Sequence, residues 1–248
     1  VPRTFQFRPR VEAAERIESF ISVNKLPPHA KLPSERDMCE MWELNRTTLR
    51  SAIRSLMEEG KLYNKVGSGT FVAEAKLTRN LQDMLPFSRL VASAGKKLRS
   101  EVLSSRVMEC NKQVSQRLRL PLGHGIFELI RLRLVDDEPV LIETAYLDCV
   151  RHAGIELLDF AKESVYHSLE KRYGTVVRKG QEQLGITYAT EEESRLLGIE
   201  RESPLFHLVG VASEEDGTPV EYFESVLRTD KIRFASVLTR GVKKGKKP

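Results

Sequence analysis

Arg131 and Arg133 stand two residues apart in GIFELIRLRLV, a run whose alternation and β-branched content predict a strand. Alternate residues of a strand share a face, so both guanidiniums point the same way, about 6.6 Å apart at roughly 3.3 Å per residue. Ile130, Leu132 and Leu134 then take the opposite face. Two neighbouring cations repel unless they are solvated or meet an anion, and their planar forks suit phosphate or carboxylate. Ser164 opens SVYHSLEKRYG, where a hydroxyl and the orphan N–H groups of a helix start could receive the same anion, with the Tyr166 phenol nearby. Glu143 and Glu221, acceptors when ionised, would hold hydroxyls or an amine. The same residues, taken alone, also fit arginines paired with surface carboxylates and a serine that merely caps its helix.

A second group lies in LPSERDMCEMWELNRTTLRSAIRSLMEEGKLYNKVGSGTFV, residues 32–72. Arg46, Arg50 and Arg54 follow the i, i+4, i+8 spacing of one helix face, with Thr47 beside them. Leu49, Ala52, Ile53 and Leu56 form a core-facing stripe on the other side. A helix that packs by one side and offers arginines and threonine on the other suits a DNA major groove. Singly, those arginines also fit a solvated face, and Gly67-Ser68-Gly69 an ordinary hairpin turn.

The elements that position these groups follow from caps and breakers. A first helix is expected from about Pro9 to Asn24, with Val11, Ala14, Ile17 and Ile21 along one face, halted by Pro27-Pro28. Ser34 caps a second helix, with Asp37 completing a weaker capping box, and the helix runs to about Trp42, burying Met38 and Met41 or Trp42. Asn45 caps a third, which runs to about Glu59 and stops at Gly60. Residues 74–95 read as a linker with one short helical piece. Beyond it, RLRLPLGHGIFELIRLRLVDDEPVLIETAYL and RLLGIERESPLFHLVGVASEEDGTPVEYFESVL look alike: short helix, strand, acidic turn, Pro-Val, strand. Pro139 and Pro219 are equivalent, 219 − 139 = 80 residues apart. This duplication predicts an antiparallel sheet with helices packed on it, an α+β arrangement.

Composition bounds the rest. The 248 residues suffice for two ordinary domains. No run of 18 apolar residues offers a membrane span, and VPRTFQFRPR lacks the features of a signal peptide. Three scattered cysteines, Cys39, Cys110 and Cys149, argue against a disulfide framework and for a reducing, cytoplasmic setting. The five histidines have no zinc-site spacing, so no metal and no cofactor is expected. The net charge of +5 is weak support for nucleic acid, because the four lysines of VKKGKKP leave only 5 − 4 = +1 for the remainder. Residues 241–248 read as a frayed basic tail.

Residues 9–73 resemble the winged helix-turn-helix of the GntR family of bacterial transcription regulators. The matching motifs are LPSERD, NRTTLR, LMEEGKL and GSGTFV. Two departures stand out: Glu43 occupies a turn position where Gly is usual, and Asn45 replaces Ser or Thr. The resemblance implies a DNA-binding domain over residues 1–73 with contacts from Arg36, Arg46, Thr47, Thr48 and Arg50. It also implies a wing in which Lys65 meets phosphate and Gly67, Ser68 and Gly69 approach the minor groove.

The remainder, residues 96–240, resembles the effector-sensing UTRA domain of the HutC branch, whose fold is like chorismate lyase. The residues that carry this are LIRLRLVDDEPVLIETAYL, SVYHSLEKRYG, LLGI…SPLF and GTPVEYFESVLR. In the hexosamine-sensing members, Arg-x-Arg, Ser-x-Tyr and the Glu of I-E-T are effector ligands. The resemblance therefore implies an effector site at Arg131, Arg133, Glu143, Ser164 and Tyr166, joined by Glu221 and by Ser88 of PFSR. Leu227 departs from the Tyr often found there, which bears on the sugar more than on the phosphate. The expected protein is a homodimeric repressor that binds a pseudo-palindromic double-stranded DNA operator and responds to a phosphorylated sugar or amino sugar. Residues 74–95 would convert effector binding into a change of spacing between the two DNA-binding heads. A carboxylate or other non-sugar effector is the alternative, although one arginine usually suffices for a monocarboxylate. An enzyme on the chorismate-lyase-like fold is the remote one, as no nucleophile–base pair is evident and no catalytic residue is assigned.

Overall fold

The computed structural model describes residues 9–65, 67–83 and 85–237. The expected basic tail, 241–248, lies outside the described residues. The chain forms two compact units, residues 1–76 and 77–248.

In the first unit, α1 (Pro9–Val23), α2 (Glu35–Trp42) and α3 (Arg46–Glu58) precede a hairpin of β1 (Leu62–Lys65) and β2 (Gly69–Val72). The caps sit where side-chain chemistry predicts. Ser34 and Asp37 form a complete capping box on α2, and Asn45 accepts from the N–H of Thr48 at 2.8 Å on α3. Leu49, Ala52, Ile53 and Leu56 are all buried, against Ala13, Ile17, Leu32 and Met38. Ile17 and Met38 are buried as expected, but Val11 is exposed because α1 turns Ala13 inward in its place, and of the alternatives Met41 and Trp42 it is Met41 that faces solvent. Trp42 is half-buried, edge-on to Phe20 with ring centres 5.9 Å apart. Glu43 ends α2 in the left-handed region (φ 53°), so the turn is made at a cost of about 1–2 kcal/mol to a residue with a side chain. Its N–H still reaches the Cys39 carbonyl. The hairpin also has a third, short partner: the N–H of Leu32 bonds to the Thr70 carbonyl and that of Val72 to the Ala30 carbonyl, both at 2.9 Å.

The second unit is a six-stranded antiparallel sheet in the order β4 (Leu98–Glu109), β5 (Gly125–Val135), β6 (Glu138–Asp148), β9 (Pro219–Arg228), β8 (Pro204–Ser213), β7 (Lys179–Tyr188). The expected duplication is present and longer than the helix-plus-hairpin read from sequence, since β4 and β7 precede the two copies. At the centre Thr144 pairs with Glu224, and 224 − 144 = 80, the offset between the two prolines. An approximate twofold axis therefore passes through that pair. The β5–β6 turn is the two-residue Asp136-Asp137, both at positive φ (51° and 67°), a hairpin geometry that short acidic residues tolerate.

One face of the sheet is closed by two equivalent helices, α5 (Lys112–Leu118) over Ile126 and Tyr222, and α7 (Glu191–Leu197) over Leu132, Leu134 and Ile142. The other face is covered in two places. At one end α6 (Val165–Tyr173) and a 3-10 turn (Ile155–Leu157) bury Phe127, Leu129 and Leu147. At the other, α4 (Phe87–Ser93) and the parallel pair β3 (Leu77–Asn80) and β10 (Ile232–Ala235) bury Val135, Leu141 and Leu227. The stretch expected to be a linker is thus largely built into this unit. Its hydrophobic members Leu77 and Val91 are buried, and β3 finds its partner strand more than 150 residues further on, which local pattern cannot reveal. Among the described residues no helix is long and apolar enough to cross a membrane, and no cluster of His, Cys, Asp or Glu could hold a metal ion.

Candidate functional site

Between the two coverings of the sheet lies a pocket with about 820 Å³ of empty space, part of it open to solvent. It is lined by all seven residues expected there: Ser88, Arg131, Arg133, Glu143, Ser164, Tyr166 and Glu221. The strand period explains their convergence. Register places Arg131 opposite Glu143, Glu143 opposite Ser225 and Leu147 opposite Glu221, all in the same face. Ser164 and Tyr166 come from the start of α6, and Ser88 from the first turn of α4.

Arg131 and Arg133 are each 5% exposed. Their charges are shared by one carboxylate: Glu143 Oε1 contacts Arg131 Nη2 and lies 3.2 Å from Arg133 Nη1. Arg131 Nη1 donates to the Phe160 carbonyl at 3.3 Å. The guanidiniums also lie over aromatic faces, Arg131 6.0 Å from the Phe160 ring centre and Arg133 5.9 Å from that of Phe87. Yet the Nε atoms of both arginines, and Glu143 Oε1, are buried without a well-formed hydrogen bond. Burial and the neighbouring Arg131 depress the Arg133 pKa against the pull of Glu143. Burial opposes ionisation of Glu143, but the two arginines outweigh it and hold its carboxyl below the usual range. The cluster is a cationic recess only partly satisfied from within, a poor state for buried charge and a good one for receiving an anion.

Ser164 occupies the N-cap of α6 but makes no side-chain cap bond, so its hydroxyl is left to the pocket. A second group in the pocket is different in character. The Tyr166 hydroxyl donates to Glu221 Oε2 at 2.7 Å. Burial pushes Glu221 up to about 7, the Tyr166 bond opposing and the Glu143 charge adding to the rise. Burial and Glu221 in turn raise the Tyr166 phenol well above its ordinary value. The pocket therefore offers both cationic donors and a carboxyl–phenol pair that can accept from, or donate to, hydroxyl and amine groups.

Sequence reading missed Arg79, Glu182, Phe87, Phe223 and Ser225, which also line the pocket. Arg79 and Phe87 lay in the presumed linker. Phe223 and Ser225 had a usable signal, the sheet period carried through the second copy of the repeat, whereas Glu182 lies on the edge strand β7, which carries no apolar alternation.

The other expected residues form a separate surface in the first unit. Arg46, Thr47, Arg50 and Arg54 are exposed along α3, while Thr48 is half-buried and engaged by Asn45 through its N–H. Arg50 Nε meets Glu35 at 2.7 Å, and Arg36 Nε meets Glu40 at 2.9 Å. Exposed pairs of this kind are worth about 0–1 kcal/mol, so both arginines can exchange a carboxylate for a phosphate cheaply. Lys65, Gly67, Ser68 and Gly69 sit together at the exposed hairpin tip. Gly67 (φ 72°) and Gly69 (φ 112°) hold backbone conformations that side chains resist, and the N–H of Ser68 closes the turn onto the Lys65 carbonyl at 2.8 Å.

Comparison with known proteins matches the chain to two described domains. Residues 9–72 match the model for bacterial regulatory proteins of the gntR family, and residues 93–233 match that of the UTRA domain. The chain belongs to the gntR family and carries a UTRA domain. It is similar to the HTH-type transcriptional repressor NagR of Bacillus subtilis (strain 168), with 27% identity over 91% of this chain and 93% of NagR. It is also similar to the probable fructoselysine utilization operon transcriptional repressor of Escherichia coli (strain K12), at 26% identity over 82% of this chain and 83% of that one. The crystal structure of PhnF from Mycobacterium smegmatis has the same fold, with a TM-score of 0.74 at 21% identity over 92% of this chain and 100% of PhnF. The gntR–UTRA chain is a transcription regulator rather than an enzyme, with DNA and a small-molecule effector as the partners its family implies.

Proposed function

We propose that this gntR–UTRA protein is a repressor whose DNA binding is controlled by a phosphorylated sugar or amino sugar held in the pocket of its second unit. The observation that carries the reading is the pair Arg131 and Arg133. They are buried side by side, share a single carboxylate and retain unbonded Nε donors beside the uncommitted Ser164 hydroxyl. A dianion satisfies both forks, whereas a monocarboxylate needs one. Tyr166 and Glu221, which also line the pocket, suit the hydroxyls or amine of the sugar. The name of the fructoselysine relative, an amine-linked sugar, is in keeping with such a ligand.

On the output side, Arg46 and Arg50 of α3 read the major groove, with Thr47, Thr48 and Arg36 positioning the helix and the tip at Lys65, Gly67, Ser68 and Gly69 meeting the backbone and minor groove. A twofold dimer presents two such helices to a pseudo-palindromic operator. The effector shifts DNA affinity only if it binds the free and DNA-competent forms unequally. A thermal-shift panel of sugar phosphates on the full chain, repeated with Arg133→Ala, tests the ligand class. A phosphorylated sugar should raise the melting temperature of the wild type and leave the variant unmoved. Operator binding measured with the same compounds tests control, and an affinity that none of them alters would remove the sugar-phosphate reading.

A further inference from the structure

The pocket holds a third arginine that the Arg-x-Arg motif does not include. Arg79 lies on β3, only three residues past the boundary between the two units, and its side chain is 19% exposed. Its Nη2 donates to Glu182 Oε1 on β7, and both residues line the pocket. The guanidinium stands 6.0 Å from the ring centre of Phe234 on β10, the residue to which Arg79 is register-paired. Its Nε is buried with no hydrogen-bond partner. Arg79 is also close enough to Glu143 to help keep that carboxyl ionised. All three arginines thus bear on one region, and each has a buried Nε donor left over.

The charges of this region largely answer one another within the protein. Glu143 answers Arg131 and Arg133, and Glu182 answers Arg79. A doubly charged anion entering beside Arg131 and Arg133 adds negative charge where Glu143 already stands, so a further cationic donor would strengthen its binding. Arg79 can supply it, but only by loosening its hold on Glu182. A part-buried pair between long side chains from different strands can close on itself or open to a ligand by rotation about side-chain bonds.

We propose that Arg79 is a third anion-binding residue of the effector pocket, latched to Glu182 when the pocket is empty and passed to the anion when it fills. The proposal rests on the sugar-phosphate reading of the site. It adds a residue to that site and a direction to its response. Because β3 leads directly into the chain of the DNA-binding unit, the exchange acts on the segment that joins sensor to reader.

The latch makes Glu182 a competitor of the ligand, so the two partners of one ion pair should affect binding in opposite senses. Isothermal titration of the full chain with glucose 6-phosphate, glucosamine 6-phosphate and inorganic phosphate reads this. Arg79→Gln should weaken the binding of whichever probe the wild type takes by about tenfold to a hundredfold, the loss of a charge-assisted fork. Glu182→Gln should tighten it about threefold or more. Arg79→Lys should recover only part of the affinity, since an ammonium lacks the fork. Circular dichroism and melting temperature accompany each variant. If both Gln variants weaken binding in step with lost stability, the pair is only a structural brace and the latch is wrong. If Arg79→Gln binds as well as the wild type, Arg79 is no ligand. A wild type that takes none of the probes, while Arg133→Ala behaves identically, overturns the sugar-phosphate reading and the latch with it.

Discussion

At the scale of single residues, the pocket mixes groups whose protonation is settled with one that is poised. The Glu221 carboxyl holds its proton up to about pH 7 in the folded chain, against 4.5 ordinarily. Folding therefore takes up a proton between those values. The stability this contributes is fully present below about 4.5 and is lost as pH rises through about 7, leaving a buried charge that costs on the order of 3 kcal/mol. Glu221→Gln, whose amide oxygen can still accept from Tyr166, should match the wild type in urea unfolding at pH 5. At pH 8.5 it should exceed it by about 1–3 kcal/mol, and equal stabilities there would mean that Glu221 is already ionised at no cost. On the surface proposed to face DNA the arginines and the lysine differ in kind. Arg46→Ala should cost about 1–3 kcal/mol at a preferred sequence and little on random DNA, as removal of a base-reading fork does. Lys65→Ala should weaken both alike and lower the salt dependence of binding by about one charge. Fluorescence anisotropy over a salt series distinguishes the two. These residue types and spacings were readable from the sequence alone, because caps, stripes and strand alternation are local properties. Arg79 was not, for nothing local distinguishes it from any solvated arginine of a connecting segment.

At the scale of elements, the clearest contrast is between two residues in the same helical position. Asn45 and Ser164 both stand at an N-cap, but Asn45 bonds the N–H of Thr48 whereas the Ser164 hydroxyl makes no cap bond. Asn45→Ala should lower stability by about 1 kcal/mol, and Ser164→Ala by no more than a few tenths. If the Ser164 hydroxyl serves a ligand, its loss should be felt in effector binding instead. Chemical denaturation and titration of the two variants separate the roles, and a large stability loss at Ser164 would show that it is a cap after all. The bounds of α1, α2 and α3 were expected nearly to the residue, since Pro, Gly and capping side chains mark their ends. Buried faces were harder: α1 turns Ala13 inward and leaves Val11 in solvent, a rotation that depends on what the helix meets. The β4 and β7 strands escaped as repeat members because edge strands carry exposed residues on both sides and so lack the apolar alternation of central ones.

At the scale of the whole molecule, each unit has its own core, one drawn from residues 13–72 and the others from residues 77–232. Scanning calorimetry should accordingly resolve two transitions, of which only that of the second unit rises when a pocket ligand is added. One ligand-sensitive transition for the entire chain would mean that the two unfold together. The duplication of helix and hairpin was visible as two similar segments offset by 80 residues, and with it the antiparallel sheet. The sequence by itself determined the helical reader with its glycine-tipped hairpin, the paired arginines on one strand face and the two copies of the sensor motif. It did so because each is written in a local period or a cap. Only the tertiary structure decided that Glu143 lies between Arg131 and Arg133, that Tyr166 meets Glu221 and that β3 brings Arg79 to Glu182. Those contacts join residues up to 103 positions apart. They depend on strand order and register, which arise from how apolar faces find one another and leave no trace in the neighbouring sequence.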